Sequence, residues 1–166
     1  SINSGKSIER INRIKQEFVD ELDFRSVRRG SAQYNAILCL LALNDAKDFR
    51  KERIVGTGDY SQENINDHHI FPKQVKGLEK EKSKAFRQVK DSILNRTLLL
   101  DATNNRIKNK RPSEYMRELI DIHGNEQKVQ SIFQQHLINK RAFQCMKEDD
   151  FDGFIIEREK AIRQHL

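Results

Sequence analysis

The chain has 166 residues, room for one compact domain or a small domain with helical wrapping. Charged residues make up 34% and aromatics 7%, yet apolar positions recur with a helical period, which excludes disorder and argues for a folded, mostly helical protein. A formal net charge of +6, with a pI near 9.4, fits an anionic partner without selecting one, and the longest apolar run, Ala36–Leu43, is too short to cross a bilayer.

Along the chain, Ser7 is placed to cap a first helix in which Ile8, Ile11, Ile14, Phe18 and Leu22 form one apolar stripe, expected to pack into the core. Ser31 opens a second helix expected to reach about Arg50. It is apolar nearly all round from Ala36 to Leu43, and should be the most buried element. No secretory segment is read ahead of that run, and the start on Ser1 suggests an excised piece of a longer protein. Cys39 and Cys145 lie far apart and form no CxxC pair, so neither a disulfide framework nor a cysteine zinc site is expected, and a reducing cytoplasm fits.

Residues 54–64, IVGTGDYSQEN, read as a loop. The segment INDHHIFP follows, an extended stretch ended by Pro72. From Lys73 to Lys90, six lysines and Arg87 stand against two glutamates; such a run is usually a solvated face, but here it directly follows a histidine pair. RTLLLDAT, Arg96–Thr103, reads as a strand, and Thr103 or Asn104 as the start of a short basic helix closed by Pro112. A helix from Pro112 stops at Gly124, with Tyr115, Met116, Leu119 and Ile120 on its apolar side. Helical segments then cover about Glu126–Asn139 and Arg141–Leu166, with a break at Asp149–Gly153. Three stretches are expected to pack as one domain: helical residues 1–60, a central part at 61–124 with a basic insertion at 73–92, and helices over 125–166.

His68–His69, Asn95, Asn104 and Pro112 fall in the order strand, connection, strand, helix, with nine residues between the two asparagines and eight more to the proline. Any one of these alone reads as a surface accident, a turn or a cap; the joint spacing does not. The motif DHHIFP, then NRTLLL, then TNNRIKNKRPSEY resembles the HNH, or ββα-metal, endonucleases, and in particular the domain that closes GmrSD-type restriction enzymes. Over residues 67–115 the spacing is also similar to the HNH domain of CRISPR effector nucleases. The resemblance implies an α+β, predominantly helical fold: a small ββα-metal core flanked by N- and C-terminal helices. It also implies a metal-dependent DNA endonuclease of bacterial anti-phage defence that acts on modified foreign DNA, joined to an upstream nucleotide-hydrolysing domain.

On that resemblance His69 is the general base, its imidazole neutral yet basic near pH 7. His68, where the family often has Asp and colicin-type toxins have His, is one metal ligand and Asn104 the other; Asn105 would replace Asn104 if the helix were rotated by one position. Mg²⁺ is the expected ion, with Mn²⁺ or Ni²⁺ suited to an imidazole donor. Asn95 is expected to bond across the loop and hold His69, and Asp67 to orient a histidine or join the metal indirectly. Lys73, Lys76, Arg106, Lys108, Lys110 and Arg111 are the candidate phosphate contacts. His123, at a helix end where it can bond the last carbonyls, and His136 and His165, which lack ligand partners in sequence, receive no role; Asp149, Asp150 and Asp152 resemble a calcium loop only loosely. A homodimer is compatible with the sequence. Two other readings stand beside the nuclease: an inactive ββα nucleic-acid-binding module, and a regulatory helical domain of a larger protein.

Overall fold

A computed structural model describes residues 2–55, 64–74 and 84–166. The loop expected at 54–64 and the lysine-rich run therefore lie largely outside the described residues, and Lys76 does so entirely. The element order is α1 (Ile2–Glu21), α2 (Ala32–Leu43), β1 (Ile65–His69), α3 (Lys84–Val89), a 3₁₀ turn (Ile93–Asn95), β2 (Arg96–Leu100), α4 (Asp101–Ile107), α5 (Pro112–His123), α6 (Glu126–Gln135), α7 (Lys140–Lys147) and α8 (Phe151–His165). The fold is α+β and mostly helical, with one antiparallel strand pair among the described residues. No described helix is long and apolar enough to cross a membrane.

The strand pair is the hub. β1 and β2 align Ile65 with Leu100, His68 with Thr97 and His69 with Arg96. β2 packs against α2 and α4, and α8 packs against the 3₁₀ turn and α7. Buried apolar side chains form a continuous core from Phe24 near the N-terminus, through Ile70, Leu94 and Leu99 around the strands, to Phe154 and Ile162 on α8.

Caps set the helix limits. Ser31 accepts the Tyr34 amide at 3.2 Å and starts α2 as expected. The helix ends at Leu43, however, not at Arg50, because Asn44 turns its amide onto the Gln135 carbonyl (2.9 Å) and Asp45 takes a positive φ of 53°. Nor is α2 buried all round: Tyr34, Ile37 and Leu41 face the core, whereas Cys39 is exposed and Leu43 is 80% exposed. The stripe on α1 departs further from expectation. The helix begins at Ile2 rather than after Ser7, and Ile8, Ile11, Ile14 and Phe18 are 53–60% exposed. Among the described side chains, the docking is at its C-terminal end, where Val19 is buried and Arg163 of α8 bonds the carbonyls of Val19 and Leu22.

α5 starts at Pro112 and stops at Gly124, whose φ of 82° supplies the left-handed turn that ends the helix. The acidic cluster near its foot is structural: Asp149 accepts the Ser113 amide (2.9 Å) and hydroxyl (2.7 Å), and Asp150 accepts the Gly153 amide (3.0 Å) and caps α8. The break before α8 accordingly falls at residues 148–150, slightly earlier than expected, and α6 ends at Gln135 rather than Asn139.

Candidate functional site

Strand alternation sends Asn66 and His68 of β1 to one side and Asp67 and His69 to the other. α4 covers the first side. The helix begins at Asp101, ahead of the start expected at Thr103 or Asn104, so Asn104 lies in its interior rather than its first turn. Asp101 and Asn104, at i and i+3, share one face of α4 and meet successive rungs of the strand. Asn66 donates its carboxamide N–H to Asp101 at 2.7 Å, and His68 Nδ1 lies 2.7 Å from Asn104 Oδ1. Thr103 and Ile107 point the other way, into the core, and Asn105 is exposed; Asn104 is thus the asparagine that reaches His68.

A carboxylate absent from the sequence reading holds α4 in this position. Asp48, fully buried, accepts the Leu100 amide at 3.0 Å and the Thr103 hydroxyl at 2.7 Å, serving as a cap supplied from outside the helix. Its own loop is pinned by the Arg50 and Lys51 amides, both at 3.0 Å on the same carboxylate.

On the second side, Asp67 bonds neither histidine. It accepts the Tyr34 hydroxyl from α2 and lies 3.4 Å from Arg96. Burial, then the bond to Asp67, raises the Tyr34 phenol well above its ordinary range. Instead Asp91, just before the 3₁₀ turn, meets His69: Nε2 is 2.9 Å from Asp91 Oδ1. Lys73 (2.8 Å) and Arg96 (3.3 Å) converge on the same oxygen. Burial alone would raise the Asp91 carboxyl, but bonds from Lys73 and His69 outweigh it and hold it at about 2. Burial lowers His69 from its ordinary value, with Asp91 opposing, and lowers His68 to about 4, so both imidazoles are neutral at pH 7.

Asn95 is fully buried, and its amide clasps the backbone just past His69. Oδ1 accepts the Phe71 amide (2.8 Å), while Nδ2 donates to the carbonyls of Phe71 and Lys90 (both 2.9 Å). Tyr115 of α5 adds a bond to the Ile70 carbonyl at 2.9 Å. The backbone just past the two histidines is therefore fixed from the 3₁₀ turn and from α5.

Asp67, His68, His69, Lys73, Asn104 and Lys108 line one open cleft of about 400 Å³. Lys108, which ends α4 with a φ of 42°, stands at its rim, and Arg106 is exposed on α4. Lys110 is tied to Glu118 at 2.6 Å and Arg111 precedes α5 as its cap residue, its amide on Glu114 at 2.8 Å. The remaining histidines are elsewhere. His123 bonds the Phe49 carbonyl (2.7 Å) rather than the end of its own helix, His136 is buried between Thr97 and the Lys47 carbonyl, and His165 is exposed on α8.

His68 Nδ1 and Asn104 Oδ1 lie 2.7 Å apart beside an open cleft; the carboxamide oxygen only accepts, so Nδ1 carries the proton here, and a divalent cation shared by the two atoms would displace that proton. Among the described residues no cluster of three or more His, Cys, Asp or Glu could hold a metal, so remaining donors would have to come from substrate or water.

A family model described as the C-terminal domain of GmrSD restriction endonucleases matches residues 13–164. The chain is 32% identical over 156 residues to an uncharacterized protein of Methanocaldococcus jannaschii, an alignment covering 82% of this chain and 25% of that protein. This chain thus spans about a quarter of the length of the curated relative it matches. No solved structure matches it.

Proposed function

The chain belongs to the family of GmrSD restriction endonuclease C-terminal domains, and on that premise we propose that it is the nuclease part of a larger restriction protein, an HNH-type endonuclease that hydrolyses DNA phosphodiester bonds. The observation that carries the proposal is the meeting of His68 with Asn104 on the cleft that His69 also lines. His69 is the general base: it takes a proton from a water whose oxygen attacks phosphorus in line, as the bond to the 3′ oxygen breaks. The products carry 5′-phosphate and 3′-hydroxyl ends. His68 and Asn104 would hold a divalent ion, Mg²⁺ foremost, with Mn²⁺ or Ni²⁺ as alternatives. Such an ion supplies charge neutralisation at the scissile phosphate. Lys108 at the rim, Arg106 on α4 and Lys73 beside His69 would grip the flanking phosphates. Lys110 and Arg111 stand farther along the same basic stretch, and Lys76 belongs to the same proposed footprint.

The rest of such a protein would carry the nucleotide-hydrolysing control and the recognition of modified foreign DNA. The test is nicking of supercoiled plasmid with Mg²⁺ or Mn²⁺, with and without chelator. His69→Ala is expected to slow cleavage about 10²- to 10⁴-fold. Equal rates for both proteins would remove His69 from the chemistry. The two-donor site also favours a second reading, an inactive DNA-binding module; it predicts salt-sensitive binding without strand breaks in any divalent metal.

A further inference from the structure

The contact between His69 and Asp91 carries an assignment of which imidazole nitrogen does the work. We infer that Asp91 is a positioning residue that fixes His69 as the tautomer protonated on Nε2, leaving the Nδ1 lone pair to accept the proton from water. The inference rests on the nuclease reading for its catalytic consequence but not for the tautomer itself.

Three observations converge. First, Asp91 Oδ1 is 2.9 Å from His69 Nε2 and is shared with two cations, Lys73 at 2.8 Å and Arg96 at 3.3 Å. A carboxylate between two cations stays ionised, and an ionised carboxylate only accepts, so the imidazole must donate through Nε2–H. Second, the clamp is built into the fold. Arg96 is the cross-strand partner of His69, is only 8% exposed, and also donates to the Asp67 carbonyl at 3.2 Å, so it spans β1 and Asp91 together. Third, Nδ1 of His69 bonds none of the described residues and, unlike His68 Nε2, is not sealed from solvent. It belongs to a residue that lines the cleft.

Proton flow then balances. The water proton passes to Nδ1, the imidazole becomes a cation, and the adjoining carboxylate stabilises that charge while the hydroxide oxygen bonds to phosphorus and the 3′ oxygen departs, taking a proton from solvent to become the 3′-hydroxyl. Without the carboxylate the neutral ring is free to place its proton on either nitrogen, and part of the population presents an N–H to the water.

The test combines Asp91→Ala and Asp91→Asn with nitrogen NMR of histidine-labelled protein in the absence of metal; His69→Gln assigns the His69 signals among the five histidines. Wild type is expected to show His69 protonated on Nε2 alone, and Asp91→Ala a mixture of tautomers. Asp91→Asn, which keeps an acceptor oxygen, should preserve most of the tautomer but not the charge. In plasmid cleavage, kcat is expected to fall about 10- to 100-fold for Asp91→Ala and less for Asp91→Asn, with KM for DNA nearly unchanged. A thermal melt close to wild type separates this from unfolding. An identical tautomer in wild type and Asp91→Ala, or a loss that appears in KM rather than kcat, would overturn the assignment. If wild type cuts no DNA while the tautomer still depends on Asp91, the positioning stands and the nuclease reading falls.

Discussion

At the scale of single residues, the site divides into groups whose chemistry is written in their order and groups that matter only because the chain folds back. His68, His69, Asn95 and Asn104 are legible because their spacing along the sequence is itself the motif. Asp91 is not: it lies 22 residues from His69, inside a charge-rich stretch where one more acid attracts no notice. Its relevance follows only from the pairing of His69 with Arg96, which brings the foot of β2 beside the histidine. Asp67 shows the reverse: adjacency to the histidines suggested a bond, but its carboxylate is taken by Tyr34 and Arg96, and His69, on the same side of the strand, meets Asp91 instead. The metal proposal is decided by Asn104. Calorimetric titration with Mn²⁺ is expected to show loss of binding in Asn104→Ala and tighter binding in Asn104→Asp, where an anionic oxygen replaces a neutral one. Unchanged affinity in both variants would mean that the ion, if bound, is held elsewhere.

At the scale of elements, period and caps located the helices, and the errors are errors of partner. The apolar stripe on α1 has helical spacing, but spacing says nothing of what lies opposite, and Ile8, Ile11, Ile14 and Phe18 face solvent. Replacing Ile11 with Asp should accordingly change the unfolding free energy by no more than about 0.5 kcal/mol in urea titration, the effect of an ordinary surface change. A buried stripe would lose several times that. α4 began earlier than the sequence suggested because its cap is Asp48, more than fifty residues upstream, and no local pattern announces a cap so far away. Asp48→Ala leaves the buried amide of Leu100 and hydroxyl of Thr103 without an acceptor, and should destabilise the protein by roughly 2–5 kcal/mol in the same measurement. A loss under 1 kcal/mol would show that α4 is held by packing alone.

At the scale of the whole molecule, the α+β class and the small strand pair were readable from the alternation of motif and helix, whereas the continuity of the core through α8 was not. His136 illustrates what only the folded chain reveals. Sequence gave it no ligand role, and none is evident, yet its imidazole is fully buried and joins Thr97 on β2 (2.6 Å) to the Lys47 carbonyl (2.7 Å). A carbonyl only accepts, so Nε2 carries the proton, Nδ1 accepts from the threonine, and the ring is neutral. Burial lowers its pKa to about 3 against an ordinary 6.5. Because the unfolded chain binds this proton more readily, its contribution to stability is complete above pH 6.5 and falls away as pH drops toward 3, by roughly 1.4 kcal/mol per pH unit. Urea midpoints measured from pH 7 to pH 4 should fall more steeply for wild type than for His136→Gln, even though the variant starts from a lower midpoint. Parallel curves would place the acid sensitivity in other groups.

The two-rung meeting of α4 with β1 works like a vernier. Three residues of helix advance about 4.5 Å and two of strand about 6.6 Å, so the scales agree only over a short oblique crossing. One residue inserted between Asp101 and Asn104 would turn the carboxamide through about 100° and carry it off the strand entirely. Such an insertion would undo the contact with His68 even with every side chain of the site kept, so the register of α4 is as much a part of the site as the groups that meet there.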